Sequence, residues 1–492
     1  MSRILCVVDD PAEWPLALPN VSVVSAQDYL TDPRYSALPY CRVYNLCRSY
    51  RYQTAGYYVS LLAEARGHKP MPNVSTMQDL RFPSVARAMS GELDDVLDRT
   101  LGHLRGAQFQ LPVYFGHSIN PRYDRLARSL FNLFPVPLLR AHFVREDDGW
   151  ELRSAVAISM DEVPAGHREV ILKLASAHFA HPAARKSRRA PARYRMAILR
   201  DRRDPTPPSD DRALEQFCEA AERLRMEAEL ISEEDYGELA EYDALFIRET
   251  TAVNNPTYRF ARRAEAEGLV VIDDPDSIVR CTNKVFLAEL LQRHRIPVPR
   301  TCILHRHNIE EVRRLLGLPL VLKQPDSAFS LGVVRVQTEE EYHREVERLL
   351  QTSDLLIAQE FIQTSFDWRI GIIDRRPLFA CQYYMARNHW QVYHHLGNGE
   401  PAYGPYKTLP VELAPRRVVH TALRAANLIG DGFYGVDLKV VNGRVYVIEV
   451  NDNPSVESDV EDRVLRQTLY DRVMEVFLAR LEARRQGHQP GS

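Results

Sequence analysis

Residues 435–455 read GVDLKVVNGRVYVIEVNDNPS, two alternating apolar and polar runs joined by Asn442-Gly443, and this stretch decides the fold class. Val436, Leu438 and Val440 alternate with Asp437 and Lys439, while Tyr446, Ile448 and Val450 alternate with Val447, Glu449 and Asn451. A period of two marks half-buried strands. The even-numbered sets are expected to face the core, so that Asp437, Glu449 and Asn451 emerge together on the other face. A plain two-residue Asn-Gly turn pairs 441 with 444 and hence 437 with 448, which puts Asp437 and Glu449 on opposite faces. An odd-length loop or bulge near Gly443 is therefore expected, because a one-residue slip would turn the whole apolar set outward. Two carboxylates and an amide oxygen are hard ligands suited to Mg²⁺, with Mn²⁺ as an alternative. Taken alone, the segment also reads as an ordinary half-buried hairpin.

Upstream, Lys284 lies in RCTNKVFLAELLQRHRIPVPRT just inside an expected helix, and Lys323 ends the apolar strand LPLVLK thirty-nine residues later. Two lysines suit the diffuse charge of a triphosphate, where an ammonium acts as a mobile point charge. Next comes QPDSAFSLGVVRV, a small-residue loop whose Ser327, Ser330 and Gly332 can offer hydroxyls and close backbone N–H groups to phosphate oxygens. It lacks the GxxxxGK[ST] pattern of a Walker loop. In LLIAQEFIQTSFDWRIGII the strand running into Gln359, Glu360, Phe361 and Ile362 can present backbone groups to an adenine edge, with Asp367 beyond it for ribose hydroxyls. Each element alone has an ordinary structural reading. Their order carries the information.

That order resembles the ATP-grasp ligases, and within them the RimK-type and glutathione-synthase-like carboxylate–amine ligases, from about Arg195 to Tyr470. The most specific matches are QEFI, DWR and GVDL…IEVN. The layout that includes NLCRSYRYQTAGYYVSLLAEARGH and EVNDNPSVESDVED is similar to the subgroup with an extra N-terminal domain. The resemblance implies a mixed α/β and α+β chain, an ATP-grasp fold preceded by a small parallel α/β domain and an N-terminal accessory domain. It implies that Lys284, Lys323, Gln359, Glu360, Ile362 and Asp367 bind ATP, joined by Ser330, Gly332 and Phe361, and that Asp437, Glu449 and Asn451 bind Mg²⁺. RimK-type ligases usually carry an F-R-S-N element where this chain has HWQVYHHLGNGE (389–400), so phosphate and substrate contacts fall to Arg369, Arg387, His394 or Lys407. Arg369 and Arg387 are the candidates for clamping a substrate carboxylate. The implied reaction is ligation of a small carboxylate, an amino acid or peptide, to an amine through an acylphosphate. A protein tail as substrate, or an ATP-binding regulatory module without turnover, are the alternatives.

The expected domains are 1–182, accessory; 183–193, a linker in the basic AARKSRRAPAR; 194–280, small and parallel; and 281–485, ATP-grasp. In the second, RYRMAILRD, a helix over 211–226, DALFIRET, a helix over 258–267 and LVVIDD give a β-α-β-α-β order. Arg248 ends one of these strands and reads as a ligand contact or a surface charge. In the first, a strand at Ile4–Val8 and a helix from Thr54 to Arg66 are expected. Arg48 and Arg51 precede that helix as an anion site or as arginines packed on tyrosines. This domain is expected to select an acidic substrate or, alternatively, to stabilise the protein or make a dimer contact.

With 492 residues, 45% hydrophobic content and a net charge of −3, the chain can bury several cores, and its balance argues against a dedicated nucleic-acid binder. Seven cysteines without a CxxC pair suit free thiols in a reducing compartment. MSRILCVVDD is too short an apolar run for a signal peptide, and no stretch suits a membrane span. A cytoplasmic protein is the expectation.

Overall fold

In the computed structural model, which describes residues 4–15, 21–38, 41–81, 93–146, 149–179, 192–204, 206–325, 332–386, 390–395 and 401–485, Asn442 and Gly443 join strands Phe433–Val441 and Arg444–Asp452. The turn is a plain two-residue one, with φ of +50° and +76°, the left-handed pair that matches strand twist. Val441 pairs with Arg444 and Leu438 with Val447, and then the register shifts so that Asp437 pairs with Glu449. The irregularity therefore lies at Ile448, not near Gly443. It also corrects the expected faces: on the turn side of the bulge Val447 is buried with Leu438, while beyond it Val450 is buried with Val436. Tyr446 and Ile448 are only partly buried. The bulge lets both apolar patches reach one core while keeping the two carboxylates opposite each other.

The hairpin closes one side of a five-stranded antiparallel sheet in the order Tyr406–Leu409, Arg376–Tyr384, Phe366–Ile373, Phe433–Val441 and Arg444–Asp452. Its apolar face packs on helices Lys284–Arg293 and Arg416–Ile429 through Trp368, Ile370, Val436, Leu438, Leu287 and Ala422. A second antiparallel sheet runs in the order Thr301–Leu304, Leu356–Glu360, Leu320–Lys323 and Val333–Val336. It buries Leu320, Leu322 and Ala358 against Val312, Val346 and Leu349 of two amphipathic helices. The five-stranded sheet also buries Ile373, Phe379, Cys381 and Phe433 in a second core, so part of it is covered on both faces and its strands lose their strict alternation there.

Ahead of these lies a four-stranded parallel sheet, Val270–Ile272, Ala244–Ile247, Tyr194–Leu199 and Met226–Ile231. The last strand was not expected. The preceding helix ends at Arg223 rather than running to Met226, because Arg225 at φ +62° breaks it. Only Met226 and Ile231 of that edge strand are buried, so it lacks the apolar run that would announce it. The C-terminal helix Gln467–Arg485 packs Tyr470, Val473 and Phe477 on this sheet's core.

The chain divides into two units, residues 1–190 with 236–238 and residues 191–235 with 239–492. All elements above belong to the second, apart from residues 236–238. In the first, four parallel strands in the order Val21–Ser25, Ile4–Val8, Arg42–Asn45 and Lys69–Met71 are accompanied by an antiparallel sheet of Gln108–Tyr114, Leu138–Glu146 and Gly149–Ala157. Its helix Ala55–Ala65 matches the expected one within a residue at each end. Arg48, read as an anion contact or as an arginine packed on tyrosines, is ion-paired to Glu13, and its backbone N–H donates to Asp9. Residues 183–191 of the expected linker lie outside the described residues.

Candidate functional site

The odd-numbered residues of the hairpin gather the charge. Arg369 sits opposite Asp437 on the neighbouring strand and holds its carboxylate with both prongs, Nε to Oδ1 at 2.7 Å and Nη2 to Oδ2 at 2.8 Å. The Asn451 amide lies 3.1 Å from the same carboxylate. Two residues further along each strand, Lys439 Nζ reaches Asp367 Oδ1 at 2.5 Å and Thr364 Oγ1 at 2.8 Å. The strand pair therefore carries two ion pairs of opposite polarity side by side. Period-two spacing is the cause: Asp367 and Arg369, like Asp437 and Lys439, are two residues apart and share a face.

Glu449, opposite Asp437, pairs with Lys284 Nζ at 3.2 Å, and the Lys284 side chain is only 10% exposed. Lys284 is the first residue of its helix, set there by Asn283, whose side chain caps Phe286 N–H. Its own N–H donates to Pro325 O at 2.9 Å, which ties this helix end to the chain just after Lys323. Lys323 Nζ donates to Gln359 Oε1 at 2.9 Å. Burial pulls Lys323 down to about 8, Glu449 opposes that fall, and Lys284 and Lys439 add to it. For Glu449 burial acts upward, but Lys284, Lys323 and Arg369 outweigh it and hold the carboxyl below its usual range. Burial raises Asp367, and Lys439 only partly offsets this. A compact cluster of lysine, arginine and carboxylate thus lies where Lys323 of one antiparallel sheet approaches Glu449 of the other.

The remaining expected residues divide. Gln359 is buried, with its amide donating to Thr301 Oγ1 at 2.9 Å, so its side chain serves the protein. Glu360 is bound by Arg300 through Nε and backbone N–H, both at 2.8 Å. The N–H groups of Glu360 and Phe361 donate to Arg300 O and Pro319 O. Among the N–H groups of QEFI, presentation therefore narrows to Ile362, which has no such partner among the described residues. Gly332 adopts φ +74°, and a Cβ there would stand 2.4 Å from Gln324 Oε1. Only glycine suits that return of the loop. Ser327, Ser330 and Arg387 lie outside the described residues, as does the His394 side chain, and Lys407 is exposed on the far strand beside Gln382.

Sequence reasoning missed two participants and misread a third residue. Lys439 shares the Asp437 face and was legible from the alternation alone. Tyr383 packs its ring 5.3 Å from the Arg369 guanidinium and donates its hydroxyl to Glu461; no local pattern signals that. Arg248 is neither a ligand contact nor a surface charge. It is 1% exposed and donates to Ser209 Oγ, Asn453 Oδ1, Pro208 O and Pro454 O at 2.6–3.1 Å, fastening the parallel sheet to the chain just after Asn451.

The family model described as the RimK-like ATP-grasp domain matches residues 281–465, and the RimK-like ATP-grasp N-terminal domain matches residues 26–173. A probable alpha-L-glutamate ligase of Syntrophotalea carbinolica is 26% identical over 240 residues, 46% of this chain and 77% of that protein. The alpha-aminoadipate–LysW ligase LysX of Saccharolobus solfataricus is 28% identical over 204 residues, 40% of this chain and 70% of that protein. The crystal structure of a RimK domain ATP-grasp protein from Sphaerobacter thermophilus aligns with TM-score 0.44 and 17% identity over 57% of this chain and 98% of that one.

Proposed function

The chain belongs to the RimK-type ATP-grasp ligases, with the RimK-like N-terminal domain preceding the ligase core, and from that premise we propose that it is an ATP- and Mg²⁺-dependent carboxylate–amine ligase. A substrate carboxylate oxygen attacks the γ-phosphorus, the bond to the bridging oxygen breaks and ADP leaves. The amine nitrogen then attacks the acyl carbon, phosphate departs with the acyl–oxygen bond electrons, and the amine loses its proton to solvent. Both substrates are taken to be amino acids or peptides, a protein tail being the variant reading. The setting is taken to be cytoplasmic, in keeping with seven free cysteines.

The observation that carries this reading is the Asp437–Glu449 register, with two lysines at Glu449. Asp437, Glu449 and the Asn451 amide oxygen would hold Mg²⁺, and the donor set fits, since two opposed carboxylates and an amide are hard oxygen ligands. When bound, the ion would offset charge on phosphoryl oxygens. Lys284 and Lys323 would meet the phosphates as point charges, and Gly332 leaves backbone room beside them. Ile362 N–H and Glu360 C=O would meet the adenine edge, and Asp367 the ribose. Arg369 can hand Asp437 to the metal and turn its fork to a substrate carboxylate or phosphate. Catalysis then rests on positioning and fixed charge rather than on a protein nucleophile.

Purified protein screened with ATP, Mg²⁺ and mixtures of amino acids and peptides should release ADP only when both substrates are present. Mass spectrometry should find a product equal to their sum less one water. ADP release with no condensed product in any mixture would remove the ligase reading and leave an ATPase or a regulatory module.

A further inference from the structure

The turn end of the same hairpin borders a groove that the proposed ligase site does not use. This groove, of about 680 Å³, is lined by Arg416, Arg417 and His420 of one helix, Arg444 and Tyr446 of the hairpin, and Pro297. The chain as a whole carries a net charge of −3, yet among the described residues no carboxylate lines this groove. Several arginines of the second unit are paired with acids or carbonyls, among them Arg195, Arg248, Arg369 and Arg480. Arg416, Arg417 and Arg444 are exposed and take part in no ion pair or side-chain hydrogen bond among the described residues. The helix Arg416–Ile429 starts after Pro415 without a side-chain cap and with no acid in its first turn, so its dipole adds positive potential instead of being offset.

The groove also borders an open sheet edge. Strand Arg444–Asp452 is the last in its sheet, and with Val441 and Arg444 as the hydrogen-bonded pair next to the turn, Val445 and Val447 direct their N–H and C=O groups outward. Val447 N–H is taken by Pro297 O at 2.8 Å. Val445, two residues nearer the turn, faces the groove that it also lines. Arginine forks match carboxylates in bidentate geometry, and a strand edge takes an extended peptide through its backbone.

We propose that this groove docks an acidic, extended peptide segment of a protein partner, its backbone adding to the edge at Val445 and its carboxylates meeting Arg416, Arg417 and Arg444. The edge favours a peptide over a nucleic acid, which would find no use for it. The inference adds to the ligase reading without depending on it, because its test reads binding and not turnover.

The probe is a fluorescein-labelled dodecapeptide of alternating Glu and Thr, followed by anisotropy with the full chain. It should bind saturably and weaken as salt rises, while the Gln-for-Glu peptide should bind at least about tenfold more weakly. The double charge reversal Arg416→Glu with Arg417→Glu should reduce affinity at least about tenfold, as should Arg444→Glu, with thermal unfolding and ATP-induced stabilisation unchanged. The milder Arg416→Gln with Arg417→Gln keeps the test open should the reversal misfold, and it should weaken binding about fivefold. Val445→Pro, tolerable where an N–H faces outward from an edge, should weaken it severalfold more than Val445→Ala. Absence of peptide binding, equal binding by the folded reversal variants, or tighter binding of an oligonucleotide of equal charge that displaces the peptide would each overturn the proposal. Unchanged affinity in folded Val445→Pro would overturn the backbone pairing.

Discussion

Two interior arginines of the second unit are fixed in opposite ways. Arg369 faces the carboxylate of Asp437, with Tyr383 over its guanidinium and Glu461 beyond. Arg248 is more deeply buried and is held at hydrogen-bond distance only by neutral oxygens, two hydroxyl or amide groups and two carbonyls. A charge matched to a charge can be exchanged, because a metal ion or phosphate can take either partner. A guanidinium locked into carbonyls has nothing to exchange for and acts as a fastener. The two arginines thus differ in kind: one is paired with a carboxylate of the proposed ligand cluster, and the other holds the frame.

The sharpest way to break that division is at Glu449. Glu449→Gln keeps shape while removing one charge from the proposed metal and lysine cluster, so ATP-dependent amide formation should fall on the order of a hundred- to a thousandfold with the fold intact. Product formation at the normal rate by the folded variant would mean that the ligand-exchanging cluster has been misplaced.

Arg248→Met tests the other side. It strands two carbonyls, a hydroxyl and an amide oxygen, so denaturation should report a loss of about 3 kcal/mol, while kcat of the surviving folded protein stays near normal. If stability holds and kcat falls instead, Arg248 belongs with the exchangeable group.

Two buried carboxyls give a smaller, pH-dependent effect. Burial pushes Glu249 and Glu461 up to about 7, above the range of an unfolded chain near 4. Both therefore keep protons in the folded state that the unfolded chain has released. Their contribution is full below about pH 4 and is lost as pH rises through about 7. The unfolding free energy should decline from about pH 5 to about pH 8, and Glu461→Gln should reduce that decline by about 2 kcal/mol. A parallel decline in wild type and variant would remove Glu461 as its source.

The smallest effect belongs to the exposed arginine of the first unit. Arg48→Ala loses a half-exposed ion pair to Glu13, which is worth about 0.5 kcal/mol. Calorimetry should barely register it, and ligation should continue. Loss of ligation with one acceptor class would return this unit to substrate selection.

The difference between the two kinds of arginine bears on what could be read in advance. Asp437, Glu449, Asn451 and Lys284 were legible because alternation and a helix start are local rules, and local rules place side chains on faces. Even Lys439 followed from the same alternation, as the odd-numbered neighbour of Asp437. The need for an irregular register was legible too, since two carboxylates on one face contradict an even turn. Its position was not: the bulge sits at Ile448 because two separate apolar pairs, Leu438 with Val447 and Val436 with Val450, had to reach one core, and only packing arbitrates between equivalent shifts. The edge strand Met226–Ile231 escaped for a related reason, being paired on one side and half exposed. Arg248 and the Tyr383–Glu461 contact depend on partners separated by 205 and 78 residues. Sequence alone determined that the charged side chains alternate along their strands, whereas tertiary structure decided where the bulge exchanges faces and which buried charges meet charges and which meet neutral oxygens, because desolvation is set by neighbours that no local pattern encodes.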